Sequence, residues 1–164
     1  MLIATLLLIA CAAGVHLAIR RRRLSPPVVV ETVLLYLLLF SAGLGGLNAF
    51  VGHLFFSDRI ATGIGWPTGN PFQLEVAIGD GAWGLLGVLC IWLRGRFWLA
   101  TGLGWSVFLI GAGVVHLRDT WLRGNLAPYN AGMIVPNFLL PALILVFLGF
   151  YWRQNREAMR GSLR

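Results

Sequence analysis

The sequence predicts an all-α bundle of about five membrane-spanning helices, and three observations predict it. Hydrophobic residues make up 58% of the chain and charged residues only 12%, with a mean hydropathy of +0.79, which leaves too little polar surface to cover a soluble domain. Five stretches are long enough to cross a hydrocarbon core, which takes roughly 20 apolar residues per helix. The arginines gather where those stretches end, as topology signals do.

Span one is read over residues 2–19 and stops at Arg20-Arg21-Arg22-Arg23. Its charges follow the apolar run, the reverse of a secretory signal peptide, so it is expected to remain a membrane helix. Pro26 and Pro27 break the chain and open the next helix, since proline is tolerated in a first turn. Span two follows over 28–55. Residues 57–70 hold Asp58, Arg59 and Trp66 among glycines and prolines, which reads as an outer loop anchored at the interface by the indole.

Asn70-Pro71-Phe72-Gln73 has the order of a helix start, with Asn70 as N-cap and Gln73 reaching back as in a capping box. Span three therefore covers 71–93. Arg94-Gly95-Arg96 is a tight turn, span four runs over 97–117, and residues 118–130 form a second outer loop. Span five covers 131–152. The basic tail, 153–164, is expected to lie frayed or amphipathic on the membrane surface. The whole chain, 1–164, reads as one transmembrane domain. Cys11 and Cys90 fall inside apolar spans without metal or redox spacing and are expected to be free, buried thiols.

A net charge of +7 would raise nucleic acid as a partner in a soluble protein, but here all 13 basic residues are arginines placed mostly at span ends. The expected partner is the lipid bilayer, with no nucleic acid. Ten arginines follow span one, separate spans three and four, or lie in the tail; Arg59, Arg118 and Arg123 lie on the other side. Because cytoplasmic loops carry the excess, the N-terminus is expected outside and the C-terminus in the cytoplasm.

With that orientation, His53, Asp58, Gln73, Glu75, Asp80, His116, Asp119, Asn125, Asn130 and Asn137 all belong to the outer half or its loops. Helical spacing groups many of them. Gln73, Ala77, Asp80, Gly84 and Gly87 form one small or polar stripe on span three, and Ala42, Gly46, Ala49 and His53 form another on span two. Trp105, Leu109, Ala112, Gly113 and His116 continue the pattern on span four, and Asn130, Asn137 and Pro141 on span five. Small residues let helices approach closely in lipid, so the stripes face protein and direct His53, Asp80, His116 and Asn137 toward a common outward-opening site.

The ligand-binding candidates are thus Asp80, His116, Glu75, His53, Asp119, Gln73, Asn130 and Asn137, with Asp80, His116 and Glu75 the groups suited to a metal. Asp80 is the deepest carboxylate, and buried charge in a span is a functional candidate by default. Glu75 lies in a first helical turn, where the dipole stabilises an anion with no function required. His116 and Asp119, three residues apart, share a face and suit a proton relay, or equally an end cap paired with Arg118 or Arg123. His16 and Glu31 read as structural. No Walker motif, HExxH, GxSxG, c-type haem motif or lysine occurs, which removes P-loop, zincin, serine-hydrolase and Schiff-base chemistry. Neither a cofactor nor a catalytic residue is assigned.

Ile64-Gly65-Trp66-Pro67, then Asn70-Pro71-Phe72-Gln73-Leu74-Glu75-Val76, and later His116 with Gly124-Asn125-Leu126-Ala127-Pro128-Tyr129-Asn130-Ala131-Gly132, resemble a family of small bacterial membrane proteins of unknown function. The resemblance implies a multi-pass protein of the bacterial inner membrane whose outer loops are its characteristic part. More loosely, Glu75 before a glycine-rich helix is similar to the DoxX-like membrane bundles, some of them linked to quinone-dependent redox chemistry. Three functions fit these readings. One is an outward-facing pocket that binds or transports a small molecule, cation or proton, with a homo-oligomer expected because five short spans are few for a lone transporter. The second is a membrane enzyme of redox or isomerase type acting on a lipid-soluble substrate. The third is a structural or accessory subunit.

Overall fold

A continuous apolar run makes helix α1 (Leu2–Ile19) in the computed structural model, which describes residues 2–161. Only Ile9 and Ala13 of α1 are buried, so the helix lies along the rim of the bundle. A short 3-10 turn over Arg21–Arg23 leads to a long rod from Pro26 to Phe55. The rod comprises α2 (Pro26–Leu37), a π-helical segment (Leu38–Gly45) and α3 (Gly46–Phe55). Prolines at the first positions of α2 cost nothing there, because those N–H groups have no helical acceptor.

The chain then forms α4 (Ser57–Ile64), α5 (Phe72–Leu89), α6 (Arg96–Arg123) and α7 (Pro128–Gly161), with no strand among the described residues. Alternating direction places Arg20–Arg23, Arg94 and Arg96 at one end, the arginine-rich end, and the 56–71 and 124–127 connections at the other, the loop end. Among the described residues four helices are long and apolar enough to cross a membrane: α1, the Pro26–Phe55 rod, α6 and α7 through Arg156. The third expected span is an 18-residue helix, α5, which carries Glu75 and Asp80 and is not one of those four.

Both expected outer loops are shorter than the sequence suggested. Residues 57–64 are helical because Asp58 sits in a first turn that favours an anion, Ala61 and Ile64 bury one face, and Gly65 stops the helix at φ +81°. The second loop shrinks to residues 124–127, since α6 continues to Arg123 and Pro128 opens α7. Much of the expected tail extends α7, and residues 162–164 lie outside the described residues. Cys90 is buried as expected, but Cys11 is exposed, because it sits on the uncovered face of α1.

The α5 stripe packs as its spacing requires: its buried residues are Gln73, Ala77, Asp80, Gly84 and Gly87. Against it lie the π-helical segment and α3 at backbone contact. A Cβ on Gly46 would stand 2.8 Å from the Asp80 carbonyl oxygen and from the Gly84 nitrogen, and one on Gly87 would overlap the Gly43 backbone. Helices in lipid gain affinity from such close approach, which only glycine permits. The rest of the core is apolar, built from Leu34, Leu37, Leu38, Trp98, Trp105, Ile144 and their neighbours. Trp105 also donates its indole N–H to Ser41 Oγ at 2.8 Å, tying α6 to the π-helical segment.

Candidate functional site

At the loop end, three helix termini meet and the polar residues of the sequence pair with one another. Gly65 in the left-handed conformation closes α4: its N–H donates to the Thr62 carbonyl and the Trp66 N–H to that of Ala61, satisfying the last carbonyls of the helix. This turn aims Trp66 at α6. The indole N–H donates to Asp119 Oδ2 at 3.0 Å, and the ring stacks on His116 at 6.0 Å between centroids. Trp66 therefore ties inward rather than acting only as an interfacial anchor.

Asp119 is 8% exposed, and a buried carboxylate needs partners. Besides Trp66 it accepts from Asn125 Nδ2 at 2.6 Å and lies 3.4 Å from the Arg123 guanidinium. Asn125 also donates to the Ile64 carbonyl at 2.9 Å, so one amide joins α4 to the end of α6. Its Oδ1 accepts from the Ala127 N–H at 3.0 Å, a local turn that sets up the start of α7.

Asn130, fully buried, is the centre of this knot. Its Nδ2 donates to Thr120 Oγ1 at 2.9 Å and to the Asn125 carbonyl at 2.8 Å. Those acceptors fix which end of the amide is nitrogen, so Oδ1 accepts from Nδ1–H of His116 at 2.8 Å, and that tautomer of the imidazole is assigned. His116 and Asp119 thus share a face, as expected, but each is held by other partners rather than by the other.

A second pair lies between α3 and α5, where His53 Nδ1 stands 2.6 Å from Gln73 Oε1. Gln73 does not close a capping box; its side chain turns into the bundle, and its Nε2 is buried without a hydrogen-bond partner among the described residues. Asn70 is not the N-cap either: Pro71 holds that position, and Asn70 Oδ1 accepts from the Phe72 N–H at 3.0 Å in the turn before it. Asp80 is 4% exposed and has no hydrogen-bond partner among the described residues. Asn137 is buried beside Gly113, where α6 and α7 touch. His53 and Gln73 thus pair on one side of the bundle, and His116, Asp119 and Asn130 join on another.

Glu75 is exposed and lines an open groove of about 490 Å³ together with Trp66, Pro67, Asn70, Pro71, Phe72 and Arg123. Trp66 and Phe72 form its aromatic wall, with centroids 5.9 Å apart, and Glu75 and Arg123 give it one charge of each sign. Among the described residues no three His, Cys, Asp or Glu side chains are grouped to hold a metal ion, so Asp80, His116 and Glu75 do not form a shared cage. Sequence reasoning missed Phe72, Arg123, Thr120 and Trp66 as site residues. The signal available was that Trp66, Thr120 and Arg123 lie beside the Gly65 and Gly124 helix stops and that Phe72 opens α5.

No curated protein and no solved structure matches the chain, and the looser likeness to DoxX-like bundles finds no support. One family model matches residues 1–158, from the first helix through most of the last, and it includes both connections of the loop end. On that match the chain belongs to the Family of unknown function (DUF6790).

Proposed function

We propose that the protein is a multi-pass membrane protein that binds a small zwitterionic molecule in the groove at its loop end, with that end facing outward. The observation that carries this reading is the placement of Glu75 and Arg123 on one groove walled by Trp66 and Phe72. A cationic group of the ligand would sit against the indole and the Glu75 carboxylate. Its anionic group would meet the Arg123 guanidinium. The volume, about 490 Å³, lies in the range of small-molecule sites.

The hydrogen-bonded knot behind the groove serves as its scaffold. Asp119 holds both Trp66 and Arg123, so the wall and the cation are positioned by one buried carboxylate. This division also separates the proposal from the enzyme alternative, which needs Glu75, Asp80 and His116 at one place. Their surroundings differ: Glu75 is exposed, His116 is bonded to Asn130, and Asp80 is buried on the α5 stripe.

A thermal-shift titration with a panel of α-amino acids and betaines tests the reading on purified protein. At least one zwitterion is expected to raise the melting temperature of the wild type, with the shift lost in Glu75→Gln and in Arg123→Gln. A panel without effect on the wild type, or a shift retained by both variants, would rule the groove out.

A further inference from the structure

A second cavity, of about 670 Å³, lies at the opposite end of the molecule between α1 and the α2 rod. Its walls are apolar, formed by Leu8, Ala12 and Val15 of α1 and Phe40 of the rod. Its polar groups sit together at one end: His16, Tyr36 and Arg20. His16 Nδ1 and the Tyr36 hydroxyl are 3.2 Å apart, with the rings edge to face at 5.8 Å. Arg21, Arg22 and Arg23 follow Arg20 in the chain, in an exposed turn. Among the described residues no carboxylate is paired with Arg20–Arg23, and Glu31 is bridged to Arg94 at 3.7 Å.

We infer that this groove is a binding site for one anionic phospholipid, its phosphate held at Arg20 and Tyr36 and an acyl chain laid along α1. The charge distribution selects this occupant. Arg20 at the mouth and the three exposed arginines after it, none with a carboxylate partner among the described residues, attract a phosphate, which arginine recognises through its planar fork of donors. From Leu8 to Ile19 the groove rises about 16 Å at 1.5 Å per residue, close to half of a hydrocarbon core about 30 Å thick. The polar mouth and the apolar trough therefore match the head and tail of one leaflet. A second copy of the chain fits less well, since a two-fold contact over this face would bring two arginine clusters together. The lipid would also cover the face that α1 leaves open, where only Ile9 and Ala13 reach the core.

Cys11 provides a direct reporter, because it lines the groove and is exposed while Cys90 is buried. Purified, delipidated protein is labelled with a maleimide in detergent micelles containing phosphatidylglycerol or phosphatidylcholine, and lipid retention is counted by native mass spectrometry. Phosphatidylglycerol is expected to slow Cys11 labelling at least fivefold and to remain as one lipid per chain, with phosphatidylcholine giving less than half of either effect. Arg20→Gln should lose the protection, whereas Arg153→Gln, an exposed arginine on α7, should keep it. Ala12→Trp, which fills the trough without touching the charges, should lose lipid retention while the protein still elutes as a folded species. Equal protection by the two lipids would overturn the inference, as would equal losses in Arg20→Gln and Arg153→Gln. Protection that appears only with a doubled mass would assign the groove to a second copy.

Discussion

The seam between α5 and the helix that crosses it is made by side chains that are absent, whereas the junction of α4, α6 and α7 is made by side chains that are fully bonded. At the seam, Gly43 and Gly46 meet Gly84 and Gly87, and the backbones themselves are in contact. At the loop end, Trp66, Asp119, Asn125, Thr120 and Asn130 exchange hydrogen bonds across chain separations of up to 53 residues. The first contact tolerates no added atom, and the second tolerates no lost partner. The difference also assigns roles, because a seam of glycine offers a ligand nothing to recognise, while the loop end holds charge and aromatic surface in fixed places.

The largest effect is expected at the seam. Gly87→Val puts a branched side chain into the Gly43 backbone and should cost about 3 kcal/mol, the upper range for overpacking. Gly79→Val, at a position with open space around its Cβ, is the control. Thermal or denaturant unfolding of the purified variants should separate the two clearly. Equal stabilities would mean that the helices are not in backbone contact.

Next in size is Asn130→Ala, which leaves His116 Nδ1, Thr120 Oγ1 and the Asn125 carbonyl without this partner. Each unsatisfied buried group costs about 1–3 kcal/mol in proteins, but hydrogen bonds between membrane helices average about 0.6 kcal/mol, so a net loss of about 2 kcal/mol is expected. The loss should be accompanied by a change in Trp66 fluorescence, since the indole stacks on His116. An unchanged melting temperature would reduce the knot to a set of replaceable contacts.

The smallest effect on stability is expected from Asp80→Asn. This carboxyl is buried but lacks a hydrogen-bond partner among the described residues, so the substitution removes an unpaired acid and breaks no bond. The melting temperature should hold or rise. A fall comparable to that of Asn130→Ala would place Asp80 among the structural ties. If stability holds and ligand binding drops, Asp80 acts on the site from within the seam, and the two regions are coupled.

These regions differed equally in how far the sequence revealed them. The five-residue stripe of α5 was readable from spacing alone, because a helix that turns small and polar residues to one side has only protein to pack there. The same logic located the stripes that carry His53, His116 and Asn137. The loop end was not readable in that way, since Asn125 with Ile64, or Trp66 with Asp119, are neighbours only because three helix ends converge. Helix α4 was hidden for a related reason: its eight residues mix Asp58, Arg59 and Gly63 with two buried apolar positions, a pattern too short to show a period. The π-helical segment has no proline or other local marker in Leu38–Gly45 to announce it.

Whether the loop end is the outward-facing working surface of a membrane protein is read by labelling Thr68→Cys in a Cys11→Ser background with a membrane-impermeant maleimide. Thr68 is exposed in the connection beside the groove, and Cys90 is buried. Intact cells are expected to give labelling as complete as lysed cells, while Ser25→Cys, at the arginine-rich end, reacts only after lysis. Labelling of Thr68→Cys that requires lysis would invert the orientation and contradict the claim.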